Sequence, residues 1–160
     1  MEHKLEINKD KVFDEVSKSS GYAGDKAGDA AYDRVAIVDA DKEMLDRFWT
    51  ESKWQATFAL GEMLASETES DGVWQVALNL PQSFKASLMD SIGSCLFSFI
   101  VTSILAKWYA MANKEDASSC AASASAYLDS VRQALYVRVR PSRPQLIDNH
   151  DKISLHKERG

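Results

Sequence analysis

Apolar residues recur at helical spacing in three long stretches of the chain, and these stretches predict three main helices. They cover about residues 40–65, 84–112 and 114–135. In the first stretch the apolar stripe narrows to small side chains at Ser52 and Ala56. Small residues at these positions allow a second helix to approach closely.

The second predicted helix contains 16 successive residues without a charge, from Ser91 to Ala106. A membrane-spanning helix needs about 20 apolar residues, whereas this run is shorter, contains several serines and is flanked by Asp90 and Lys107. We therefore expect a central helix that the rest of the domain buries. Gly93 lies inside it at a cost of about 1 kcal/mol relative to alanine, which indicates close packing of another backbone there.

The third predicted helix carries apolar residues at alternating spacings of four and three, as in a heptad seam. The seam consists of Ala117, Ala121, Ala124, Leu128, Val131 and Leu135. Because only alanine occupies its first half, we expect close helix packing, either within the chain or between copies of it.

Alternation of apolar and polar residues predicts a minor β element. Residues 73–80 alternate in this way and are followed by Pro81, which stops the strand. Its partner is either 3–7 or 136–140, since both segments alternate similarly. The predicted fold class is therefore mainly α, a bundle of three main helices with a minor β element.

Turn residues divide the rest of the chain, and residues 67–72 are predicted to form a polar turn. Residues 9–18 fit a short helix that ends at Gly21. Residues 19–37 contain three glycines and are expected to form a flexible loop. We predict a single helical domain over 1–144, which includes this loop, and a polar C-terminal tail over 145–160.

Composition is that of an ordinary globular protein, but charge is unevenly distributed. Residues 1–90 contain 18 acidic and 10 basic residues, whereas residues 91–160 contain 6 and 9. This asymmetry suits head-to-tail packing of identical copies, and it equally serves solubility alone. The two cysteines do not form a Cys-x-x-Cys pair, which favours a reduced, cytoplasmic protein.

No residue pattern indicates a catalytic or metal site. The three histidines, His3, His150 and His156, lie near the two ends of the chain, whereas a hydrolase triad needs a histidine beside its nucleophile. Potential zinc ligands are not grouped at the usual spacing, and no Gly-rich phosphate loop is present. We therefore expect a protein that is not an enzyme and that needs no cofactor or metal.

Arginines near the C-terminal end give the strongest local signal of binding. Twelve residues without an acid contain four of them, Arg132, Arg138, Arg140 and Arg143. Such a cluster suits pairing with acids on a neighbouring subunit, weak phosphate binding, or an edge strand guarded by charge. The predicted partner-binding residues are Arg138, Arg140 and Arg143, together with Leu146 and Ile147 of the tail.

Three features follow one another between residues 39 and 115. A helix with an acidic start (DADKEMLDRFWTESKWQATFAL) precedes a strand that ends in Leu-Pro (VALNLP). A long apolar helix with an aromatic pair near its end follows (SLMDSIGSCLFSFIVTSILAKWYAMANKED). In this order the chain resembles the small head–tail connector, or adaptor, proteins of tailed bacteriophages. It is also similar in style to uncharacterised structural proteins of phages and prophages of gut bacteria.

The resemblance implies a non-catalytic virion protein that is assembled in the host cytoplasm. Its partners would be copies of itself in a homo-oligomeric ring, the portal protein, and neck or tail proteins. Binding of nucleic acid is not expected, except that the protein would lie close to it in the virion. No membrane partner is implied. The alternative is another helical protein-binding module or a different neck or tail component. An enzyme with an unmarked site is a third interpretation.

Overall fold

The computed structural model describes residues 1–27 and 36–142, which contain four long helices and one three-stranded antiparallel sheet. The elements in chain order are β1 (Glu2–Asn8), α1 (Lys9–Ala27), α2 (Lys42–Leu60), β2 (Leu64–Ser70), β3 (Val73–Asn79), α3 (Met89–Ala112) and α4 (Lys114–Leu135). Short 3₁₀ turns are formed by Asp39–Asp41, Gly61–Met63 and Ala86–Leu88. The predicted class, mainly α with a minor β element, is confirmed.

Helix α3 lies at the centre of the fold. It contacts α1, α2, α4 and β1. Ten of its residues are buried: Ile92, Leu96, Phe99, Ile100, Val101, Ser103, Ile104, Leu105, Trp108 and Tyr109. By length and composition alone the segment Ala86–Ala112 is apolar enough to cross a membrane, and 44% of its most apolar stretch is buried in the fold. Its packing against three helices and a strand agrees with the expected central helix.

Small residues set the separation of α2 and α3. Ser52 and Ala56 are fully buried, as the narrow stripe predicted. The Ser52 hydroxyl donates to the hydroxyl of Ser103 at 3.0 Å, so the two helices also share a buried hydrogen bond. Trp49 and Trp54 separate as their spacing requires, the first 1% and the second 65% exposed.

Gly93 of α3 lies against the sheet. A Cβ atom at this position would be 3.3 Å from Leu5 Cδ2, which is tighter than an ordinary van der Waals contact. The neighbour is therefore a side chain of β1 rather than the backbone that the sequence led us to expect.

Strand β3 is the middle strand of the sheet, and β1 is one of its partners. Leu5 pairs with Val76 and Ile7 with Trp74, so apolar side chains on both strands share the core face. The predicted pairing with 3–7 is thereby confirmed. The other candidate, 136–140, forms only an isolated bridge between Arg138 and Phe84.

Strand β2 corrects two predictions from the sequence. We expected a helix to about residue 65 and a polar turn over 67–72, but α2 ends at Leu60 and β2 covers Leu64–Ser70. The sequence of β2 is polar because it is an edge strand with six of its seven residues exposed. Backbone pairing with β3 determines its conformation, and this pairing does not require an alternating apolar pattern in the sequence.

The predicted loop over 19–37 is wrong over its first part, because α1 continues to Ala27. Tertiary contacts outweigh the helix-breaking tendency of its glycines. The Ser20 hydroxyl accepts the Ile37 N–H at 3.0 Å, and the backbone oxygen of Ser19 accepts the Tyr109 hydroxyl at 3.2 Å. Residues 28–35 and the predicted tail over 145–160 lie outside the described residues.

Candidate functional site

An open groove of about 610 Å³ runs between α2 and α4, with α3 as its floor. Twelve residues line it: Trp54, Gln55, Phe58, Phe99, Ser103, Ala106, Lys107, Ala121, Ala124, Ser125, Leu128 and Arg132. Most of these side chains are apolar or small. A groove of this volume is in the range that binding sites occupy.

The wall formed by α2 is aromatic. Trp54 and Phe58 are one helical turn apart and are 65% and 87% exposed. They lie off the stripe through Ser52 and Ala56 that packs on α3, so the core does not cover them. Two large exposed aromatic side chains beside a groove are typical of a surface that binds a partner.

The opposite wall, on α4, has small side chains at Ala121, Ala124 and Ser125, followed by Leu128 and Arg132. Ala121 and Ser125 are exposed, whereas Ala124 between them is buried against α3. The alanine seam predicted close packing, and α4 does pack along α3. Ala121, however, faces the groove rather than the core. Small residues on this wall keep the groove open opposite Trp54 and Phe58.

Lys107 and two serines form a polar cluster on the groove floor. The Lys107 ammonium donates to Ser103 Oγ at 3.0 Å and to Ser52 Oγ at 3.4 Å. The Ser103 hydroxyl lies 3.4 Å from the side-chain oxygen of Gln55 and donates to it. Burial lowers the pKa of Lys107, and the negative charge of Glu51 only partly opposes this shift.

Both charged side chains that line the groove are cations. Of the described residues that line it, only Lys107 and Arg132 are charged. Arg132 pairs with Asp129 at 3.3 Å on the surface of α4. Within residues 1–27 and 36–142, Lys107 has no carboxylate within ion-pair distance. The half-buried Lys107 ammonium is therefore held by two serine hydroxyls and by no direct ion pair, and an approaching anion would add one.

The serine–lysine cluster lacks what acyl transfer needs. Ser52 and Ser103 lie in the interiors of α2 and α3, where the surrounding backbone N–H groups bond within the helices. An oxyanion needs free donors directed at it. Ser52 is also fully buried. The arrangement is suited to holding an anionic side chain by charge and hydrogen bonds rather than to attacking a carbonyl group.

Two titratable groups on the α1 side of α3, Tyr109 and Cys120, have raised pKa values. Burial raises the pKa of Tyr109 to about 12, with smaller contributions from Cys120 and Asp116. Burial likewise raises the pKa of the Cys120 thiol, which keeps it protonated and a poor nucleophile. The described part of the chain contains no group of three histidine, cysteine or acidic side chains able to hold a metal ion.

The predicted partner-binding arginines are not equivalent. The Arg138 guanidinium donates to the backbone oxygen of Leu135 at 2.7 Å, at the end of α4, and stacks over Tyr136. Arg140 is exposed. Neither lines the groove. Arg143, Leu146 and Ile147 lie outside the described residues.

The sequence did not indicate a groove, although Ala121, Ala124 and Leu128 were predicted as a packing seam and Arg132 belongs to the arginine cluster. Lys107 was considered only as a flank of the uncharged run. The available signal was that Trp49 and Trp54 cannot both lie on the apolar stripe, so one of the two had to face away from it. The pairing of α2 with α4 across α3 is a tertiary relationship, which periodicity within one helix does not reveal.

Comparisons with models of known protein families, with curated proteins and with solved structures give no match.

Proposed function

We propose that the protein is a non-catalytic assembly protein that docks another polypeptide in the groove between α2 and α4. The exposure of Trp54 and Phe58 beside this groove carries the proposal. Aromatic side chains at the centre of an interface supply much of its binding energy. In the unbound protein, the side chains of Trp54 and Phe58 would leave a large apolar surface exposed to solvent.

More specifically, we propose a head–tail connector of a tailed bacteriophage. Its subunits would form a ring on the portal protein, within a virion that is assembled in the host cytoplasm. The opposite charges of the two halves of the chain suit a heterologous contact between copies. An exposed aromatic wall and an alanine wall on the same domain suit a surface that is covered in an assembly.

The connector proposal is tested with the portal protein of the genome that encodes the chain. The purified chain is mixed with that portal protein, and the mass of the complex is measured by light scattering after size exclusion. Several copies of the chain should join each portal ring. If the chain stays separate from the portal protein at all concentrations, the connector proposal is wrong.

A pair of matched variants tests the groove itself. Trp54→Ala combined with Phe58→Ala removes the aromatic wall, whereas Tyr22→Ala removes an aromatic side chain of α1 that is 72% exposed and does not line this groove. Because all three side chains are exposed, both variants should keep the stability of the parent protein. Only the double variant should lose portal binding, by about tenfold or more for a central aromatic contact.

The groove equally supports the alternative of a different helical binding module or another neck or tail component. Docking of a polypeptide between α2 and α4 does not depend on a portal protein. If the chain captures a neck or tail protein from the same genome, loses it on the Trp54→Ala and Phe58→Ala change, and ignores the portal protein, this alternative replaces the connector.

A further inference from the structure

We propose that the groove between α2 and α4 receives the C-terminal segment, residues 145–155, of a neighbouring copy of the chain. An aspartate of that segment would pair with Lys107. The inference deepens the proposed function and rests on it, since it names the contact through which copies assemble. It applies to the groove and to no other surface.

The chemistry of the segment complements that of the groove. Leu146 and Ile147 are adjacent apolar residues that suit a space lined by Trp54 and Phe58. The stretch from Leu146 to Asp151 contains two aspartates and neither lysine nor arginine, and Lys152 follows directly after it. The groove presents two cations and no acid among its lining residues, and of these Arg132 already pairs with Asp129, which leaves Lys107 for the segment. Apolar contacts would supply the affinity of the segment for the groove, and charge pairing would fix its position along the groove.

Lys107 makes a carboxylate the favoured anchor. Its ammonium already donates to two serine hydroxyls and lies on a floor where burial lowers its pKa. A carboxylate that enters the groove would neutralise this charge at a site partly screened from water. A charge-assisted hydrogen bond of this kind is about twice as strong as one between neutral groups.

The lengths of the groove and of the segment agree. Along α4 the groove extends from Ala121 to Arg132, which at 1.5 Å per residue is about 16 Å. An extended chain from Leu146 to Asp151 covers about 17 Å. The segment can therefore place its apolar pair and an aspartate in the groove at the same time.

The last described residues of the chain pair with the segment that precedes α3. The Val139 N–H donates to the backbone oxygen of Ser83 at 2.7 Å, and Arg138 forms a β-bridge with Phe84. These contacts fix residues 138–139 to the segment that precedes α3. Pro141 follows, and a proline cannot donate the next hydrogen bond of such a pairing. The described residues end shortly afterwards, at Ser142. Exchange of an identical element between protomers is a common route to assembly.

Photo-crosslinking between distinguishable copies tests the inference with the full chain. Phe58 is replaced with p-benzoylphenylalanine in an isotopically light copy, which is mixed with an isotopically heavy copy of natural sequence and irradiated. We expect crosslinks from light position 58 to heavy residues 145–155, mapped by mass spectrometry. Crosslinks confined to one chain, crosslinks to another segment, or none between copies would each overturn the inference.

Variants in the heavy copy test the apolar part of the contact, and variants in the light copy test its charged part. Leu146→Asp with Ile147→Asp in the heavy copy should reduce crosslinking to background. Lys107→Met in the light copy should reduce it about tenfold, as expected for the loss of one charge-assisted contact. Lys114→Met, which changes an exposed lysine that does not line the groove, should have no effect. Equal loss with both lysine variants would show that binding depends on overall charge and would contradict the pairing.

Failure of this inference is distinguishable from failure of the proposed function. If the chain assembles on the portal protein but position 58 does not crosslink to residues 145–155 of a neighbour, only the identity of the occupant is wrong. If crosslinks form as expected and the portal protein is ignored, the tail contact stands and the connector proposal is wrong.

Discussion

The indole N–H of Trp49 on α2 donates to the carboxylate of Glu69 on β2 at 3.1 Å. The same carboxylate pairs with Lys53, whose ammonium lies 5.6 Å from the centre of the Trp49 ring. On the same strand, Glu67 accepts the indole N–H of Trp74 at 2.9 Å. Edge strand β2 therefore turns two partnered carboxylates toward the core side of the sheet. Inward-pointing charges of this kind discourage edge-to-edge association with another sheet.

Replacing Glu69 with glutamine should destabilise the protein by about 1–3 kcal/mol. Glutamine can still accept the Trp49 N–H, but it leaves the largely buried Lys53 without its opposite charge. Urea denaturation followed by circular dichroism measures the change. Glu62→Gln removes an exposed acid beside β2 and should change the unfolding free energy by less than about 0.5 kcal/mol. Equal effects of the two variants would show that β2 is not held to α2 by this carboxylate.

The contribution of Glu69 should depend on pH. Burial alone would raise the pKa of this carboxyl, but hydrogen bonds from Lys53 and Trp49, with the charges of Lys53 and Lys9, outweigh burial and lower it. The folded state therefore favours the ionised form, and the stabilisation is complete above the ordinary glutamate pKa of 4.5. As the pH falls below that value through the lowered folded pKa, the stabilisation is lost. The stability difference between the parent and Glu69→Gln should shrink over this window, and a constant difference would contradict the ion pair.

The elements that periodicity describes well were predictable from the sequence. Helix α4 has the predicted bounds, and β3 differs by one residue from its predicted range, because each has a repeating apolar face. The small residues Ser52 and Ala56 also indicated where α2 approaches α3. Each of these inferences depends only on side chains within one element.

The elements that depend on tertiary contacts were not predictable in this way. Strand β2 has no apolar alternation, since its glutamates are stabilised by indole N–H groups and Lys53 from other elements. Gly21 suggested the end of a helix, but α1 continues past it and is tied to α3 through Ser19 and Tyr109. The groove likewise exists only because two separate helices flank a third.

Two phenylalanines give a matched test of how α2 packs against α3. Phe99 on the floor of the groove is 3% exposed, whereas Phe58 on its wall is 87% exposed. Phe99→Ala should cost about 3–5 kcal/mol, because it leaves a cavity at the centre of the fold. Phe58→Ala should cost less than about 0.5 kcal/mol, because solvent already surrounds most of the ring. Thermal and urea denaturation measure both, and a loss below about 1 kcal/mol for Phe99→Ala would contradict the packing.

Arg138 and Arg140, the two predicted partner-binding arginines among the described residues, should respond differently to charge reversal. Arg138→Glu removes the guanidinium that donates to the Leu135 oxygen and places a negative charge at the negative end of the α4 dipole. We expect a loss of about 1–2 kcal/mol in the free energy of unfolding. Arg140→Glu changes an exposed residue and should leave stability within about 0.5 kcal/mol. If both variants keep full stability, the Arg138 contact with the helix end does not contribute to the fold.

Lys107→Met tests whether the groove lysine is there for stability or for binding. Burial lowers the folded pKa of Lys107 below its ordinary value of 10.5, so the unfolded chain holds this proton more tightly. The charge therefore opposes folding at neutral pH, and stability should rise as the pH climbs through the lowered pKa toward 10.5. Methionine keeps most of the side-chain volume and removes the charge. We expect Lys107→Met to raise the unfolding free energy by roughly 0.5–1 kcal/mol at neutral pH, a value reduced for solvent screening of a half-buried group. It should also flatten the alkaline rise in stability. A loss of more than about 1 kcal/mol would instead make Lys107 a structural residue whose bonds to Ser52 and Ser103 hold α2 on α3.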